Sequence, residues 1–162
     1  MSANLPGRLL RRARLLRSCI RGPRDAWVTA RMVGWRLALP ALKWALPLPR
    51  LVRLMWRDRP SRATVALGRE RIATLVWGLY GPRGGPLLDN CLERSLVMFR
   101  FLAEAGADPQ LVVAVSQDGR PVRGHAWVAL EGRSVGETTD PLDEFAPVVT
   151  FGRGGDVVGA GA

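Results

Sequence analysis

The residues best suited to nucleophilic chemistry are scarce in this 162-residue chain: two cysteines, Cys19 and Cys91, and a single histidine, His125. Cys91 stands near the start of the segment "DNCLERSLVMFRFLAEAGADP", and His125 lies in "GHAWVALEG". At a helix start the uncompensated backbone N–H groups and the macrodipole favour an anion. A thiol placed there ionises more readily, its pKa falling from about 8.5 towards 7 or below. A neighbouring imidazolium lowers it further, and His125 is the one residue that can supply it. A thiolate to attack a carbonyl, an imidazolium to protonate the leaving amine and a carboxylate to hold the ring are the parts of thiol acyl transfer. Singly, each residue has a plainer role: an inert buried cysteine, a satisfied structural histidine, a solvated acid. Their order along the chain is what points to chemistry.

Two acids compete for the third place, Glu137 and Asp140. His125, Trp127 and Ala129 share one face of a strand, and Ala126, Val128 and Leu130 the other. A two-residue turn at Glu131-Gly132 pairs His125 with Thr138 and puts Asp140 on the histidine's face. A three-residue loop with a bulge flips the parity and brings Glu137 there instead. Geometry leaves both open. The backbone N–H of Cys91 is a candidate oxyanion donor; Asn90 and Trp127 are the candidates for a second.

The elements that must position these groups follow from pattern. "RPSRATVALGRERIATLVWGLYG" predicts a helix with Ala66, Ile72, Leu75, Val76 and Leu79 on its apolar side, ended by Gly81-Pro82. "GPRGGP" predicts a loop. The Cys91 segment predicts the clearest helix, capped by Asp89 or Asn90, with Leu92, Leu96, Phe99 and Ala103 in a stripe and Gly106 and Pro109 closing it. "LVVAVS" and "VRGHAWVAL" predict strands joined by the turn "QDGR", and "RSVGETTD" predicts a third strand with its exit. The last residues, 152–162, predict a flexible tail.

The front of the chain differs from its back. Residues 1–62 hold 15 Lys or Arg against Asp25 and Asp58, whereas residues 63–162 hold 9 basic and 12 acidic side chains, which together give the net +10. "MSANLPGRLLRRARLLRSCIRG" has apolar residues at helical spacing but no uninterrupted apolar core, which argues against a secretory signal. "MVGWRLALPALKWALPLPRLVRLMW" is broken by Arg36, Pro40, Lys43, Pro47 and Pro49, so no membrane-spanning helix is predicted. Trp27, Trp35, Trp44 and Trp56 accompany the arginines. Such a segment suits an interfacial membrane helix, a docking face for a partner or acidic peptide, or a helical subdomain with core tryptophans. No nucleic-acid recognition motif accompanies the charge, and no nucleic-acid partner is expected. Two cysteines without a CxxC or Cys/His cluster predict reduced thiols in a cytosolic protein, with no metal site. No P-loop is present, and no cofactor is expected.

The stretch "NCLERSLVMFRFLAEAGADPQLVVAVSQDGRPVRGHAWVALEGRSVGE" resembles the transglutaminase-like cysteine peptidases that remove leader peptides during lasso-peptide biosynthesis. The likeness rests on a "CL.R" helix, an apolar strand, "HAWV" and an acid 12 residues after the histidine. It covers roughly residues 63–150 well and the basic front more loosely. It implies Cys91 as nucleophile, His125 as general base and Glu137 as the third member, where the family more often has Asp. The longer carboxylate would reach Nδ1 of the ring; Asp140 is the alternative. It also implies partners: a precursor peptide, a small leader-binding protein that presents it, and an ATP-dependent cyclase that takes the product.

The expected architecture is α+β: a papain/transglutaminase-like core over residues 59–151, with the Cys91 helix packed on a small antiparallel sheet, and a basic helical extension over residues 1–58. The expected activity is hydrolysis of a leader–core peptide bond in the cytoplasm, with contact to the inner membrane face open through the basic front. The rivals are a transglutaminase-like acyltransferase on the same fold and a non-catalytic module that binds membrane or partner.

Overall fold

The computed structural model describes residues 20–80, 91–117 and 122–160. Cys19, the caps Asp89 and Asn90, the "GPRGGP" loop and most of the "QDGR" turn lie outside the described residues. The architecture is α+β, and the described residues form five α-helices against a five-stranded antiparallel sheet. Helix α1 (Pro23–Ala45) starts on a proline, whose missing N–H costs nothing in a first turn, and ends before Pro47. Helix α2 (Leu48–Met55) follows at once. The single helix expected over residues 59–81 is two, α3 (Arg62–Val65) and α4 (Arg69–Tyr80), because Gly68 takes a φ of +79° between them. Ala66, expected on the apolar side, lies in that break and is exposed; Ile72, Leu75, Val76 and Leu79 are buried as expected.

Helix α5 (Cys91–Glu104) is the centre of the molecule. It is buried not along a stripe but on every side from Arg94 to Glu104, because helices α1, α2 and α4 and the sheet all pack on it. Gly106, at φ +79°, closes it, with the Gly106 and Ala107 N–H groups returning to the carbonyls of Ala103 and Leu102. Val28, Met32 and Leu39 of α1 join Leu96, Phe99 and Leu102 of α5 in one continuous core. The basic segment and the Cys91 helix therefore share a hydrophobic interior.

The sheet runs β3-β2-β1-β4-β5, from β1 (Gln110–Ser116), β2 (Gly124–Leu130), β3 (Arg133–Ser134), β4 (Phe145–Phe151) and β5 (Val157–Ala160). Strand β1 is central, with Ala114 opposite His125 on β2 and Val112 opposite Trp127. Two side-chain layers result: Leu111, Val128 and Phe151 join the main core, while Val112, Ala114, Trp127 and Ala129 make a smaller cluster under Phe145. Strand β3 is far shorter than the third strand expected. Residues 153–160, expected as a tail, form a short 3₁₀ turn and β5, which pairs with β4 at Val149, Thr150 and Phe151.

Candidate active site

The site forms where the first turn of α5 meets the start of β2. Cys91 is the first residue of its helix, so its N–H has no partner within the helix. Ser95, one turn on, donates its hydroxyl to the Ala126 carbonyl at 2.8 Å and fixes that turn against β2. The thiol is half-buried. Burial pushes its pKa up, but the hydrogen bond and charge of His125, an N–H from Ala126 and the Arg94 guanidinium outweigh burial, and the net shift is downward. The imidazole is pushed up to about 9, first by Cys91 and then by Glu137, against the cost of its own burial. A thiol shifted down beside an imidazole shifted up is the signature of a thiolate–imidazolium pair.

The ring of His125 is wedged between aromatics, with Phe145 at 4.9 Å and Trp127 at 5.8 Å between centroids. Glu137 approaches the other side: its Oε1 lies 3.8 Å from Nε2, an ion-pair contact longer than a hydrogen bond. The acid was expected at Nδ1; it meets Nε2 instead. The same Oε1 accepts a hydrogen bond from Nη2 of Arg94 at 2.7 Å. Arg94 in turn lies over the ring of Trp77, 4.1 Å from its centroid.

Asp140 stands apart from the histidine. Its Oδ1 accepts from the Leu142 N–H at 3.1 Å and caps the 3₁₀ turn Pro141–Asp143. The reason lies in the hairpin. Leu130 pairs with Arg133 across a two-residue turn, Glu131 and Gly132 both at positive φ, as the first of the two registers requires. The Val135 N–H still bonds to the Val128 carbonyl, but Gly136 then turns the chain with a φ of +78° and swings Glu137 to the ring. Gly136 packs so closely on Trp77 that a Cβ there would come within 2.0 Å of the indole nitrogen.

Asn90 lies outside the described residues, and Trp127 is buried with its ring against His125. Among the described residues no group of His, Cys, Asp and Glu could hold a metal ion. Sequence reasoning missed Arg94, Trp77 and Phe145. Arg94 carried a signal: it sits three residues after Cys91, on the same side of a helix. The contacts of Trp77 and Phe145 depend on tertiary structure.

The family model of the transglutaminase-like superfamily matches residues 29–150. The chain belongs to that superfamily, typically one of cysteine enzymes of the protease and acyltransferase type. No curated protein and no solved structure matches the chain significantly.

Proposed function

We propose that this protein is a cysteine endopeptidase that cleaves the leader from a ribosomally made lasso-peptide precursor, with Cys91 as nucleophile, His125 as acid and base, and Glu137 orienting the ring. The observation that carries the chemistry is the contiguous Cys91–His125–Glu137 arrangement, with its thiol shifted down and its imidazole shifted up. The leader specificity rests on the "CL.R" and "HAWV" resemblance.

In the first half-reaction the Cys91 thiolate adds to the scissile carbonyl, and the oxyanion is met by the Cys91 N–H at the helix start. Collapse expels the core-peptide amine, which takes its proton from His125 and leaves a thioester. Water then attacks the thioester while His125 accepts its proton, releasing the leader carboxylate and restoring the thiol pair. One water is consumed and no redox change occurs. The proposed partners are a small leader-binding protein and the ATP-dependent cyclase that receives the freed amine.

The test is to incubate the protein with a precursor and its leader-binding partner and weigh the products. Two fragments whose masses sum to the precursor plus one water are expected, with cleavage abolished by Cys91→Ala and by His125→Ala. Full cleavage by either variant would overturn the mechanism. A product carrying an amine acceptor in place of water would assign acyl transfer, the activity that the same geometry also supports.

A further inference from the structure

Beyond its first turn, helix α1 directs its charges inward. Arg31 reaches Glu104 at 2.7 Å and Lys43 reaches Glu93 at 2.6 Å. Arg36 donates to the Leu79 carbonyl and lies 4.7 Å from the Tyr80 ring centroid. The outward face carries no charge at all: from Ala26 to Ala45 every exposed residue is apolar. Small residues make it flat, and three large ones project from it, Trp27 at 63%, Leu37 at 75% and Trp44 at 93% exposure. At 1.5 Å and 100° per residue the face is about 28 Å long and spans roughly 160° of the helix. Ordinary surface helices have the opposite polarity.

We propose that this face lies in the interfacial layer of an anionic phospholipid bilayer, with the helix parallel to the membrane plane. Charge complementarity selects that occupant. Arg21 and Arg24 are exposed at the start of the helix, and residues 1–19 add Arg8, Arg11, Arg12, Arg14 and Arg17 without one acid. Basic residues beside an apolar face bind anionic headgroups, and tryptophan prefers that same zone. No helix among the described residues is long and apolar enough to cross a membrane, so the contact is one of lying on it. A second copy is a poorer occupant. A face about 28 Å long and on the order of 10 Å wide buries about 300 Å² per copy, against about 800 Å² per partner in a stable dimer.

The test is sedimentation of the full chain with phosphatidylcholine vesicles, with and without phosphatidylglycerol, at physiological salt. Binding should be at least tenfold stronger to the anionic vesicles and should weaken as salt rises. Trp27→Ser, Leu37→Ser and Trp44→Ser together should reduce it at least tenfold, and Trp44→Ser alone severalfold. Unchanged alkylation of Cys91 would show that both variants remain folded. The proposal is overturned by absent binding to anionic vesicles, or by triple-variant binding equal to that of the natural chain. It is overturned equally by a lipid-free dimer that the triple substitution dissolves, which would give the face to a second copy.

Discussion

Glu137 serves two cations through one oxygen, 2.7 Å from Arg94 and 3.8 Å from His125. The arginine therefore anchors the carboxylate and the imidazole leans on it. Replacing Glu137 with Gln keeps the shape but removes the charge that favours imidazolium, and turnover should fall by about 10²–10⁴. Arg94→Met should release the carboxylate and withdraw a charge that favours the thiolate. The pH at which Cys91 becomes alkylated should then rise, and Arg94→Lys, which restores charge without the planar stack on Trp77, should recover part of that shift. Asp140→Ala should leave turnover near that of the natural chain and cost about 1 kcal/mol, the worth of a cap. Turnover in the Asp140 variant as low as in the Glu137 variant would contradict this assignment.

At the scale of elements, the β2–β3 hairpin decides which acid is used. Gly136→Ala should strain a left-handed backbone and collide with Trp77, costing about 1–3 kcal/mol and displacing Glu137. Denaturant melts and turnover should fall together; unaltered turnover would separate Gly136 from the placement of the acid. This is also where reading the sequence reaches its limit. The helix start at Cys91, the strand around His125 and the Glu131-Gly132 turn are all legible from local patterns. The register deduced from that turn nevertheless favours Asp140, since strand pairing alone cannot reveal that the ladder ends at Val135. What ends it is Gly136 packing on Trp77, a contact between segments far apart in sequence. Strand β4 was hidden for a related reason: Pro147 interrupts its run, and it is tolerated because the β1–β4 register shifts there.

Across the whole molecule, the basic front is partly consumed by the fold. Glu104, almost wholly buried, has Arg31 at 2.7 Å, Arg100 at 3.5 Å and Arg57 at 3.9 Å, while Asp25 pairs with Arg71. Glu104→Gln leaves these cations without their shared charge and should destabilise by about 3–5 kcal/mol in a melt. The hydrogen bond from Arg71 holds the Asp25 carboxyl below its ordinary range despite burial. Its stabilisation is present above the unfolded-state pKa and is lost as pH falls through the folded one. His125 behaves oppositely. Raised from 6.5 to about 9, it contributes stability fully below pH 6.5 and loses it as pH rises through about 9. Melting temperature against pH should therefore show an alkaline decline that His125→Ala flattens and an acid decline that Asp25→Asn flattens.

Strand β5 is only four residues long and covers seven-residue β4, while two-residue β3 closes the opposite edge. Gly155, just before it, sits so close to the Arg53 backbone that a Cβ would come within 2.7 Å, which ties the end of the chain to α2. Both margins of the sheet are thus too short to template a neighbour. A chain ending at residue 152 would bare the β4 ladder along Val149, Thr150 and Phe151. It should scatter light increasingly with concentration while keeping its helices, because residues 153–160 guard that edge against other copies of the protein.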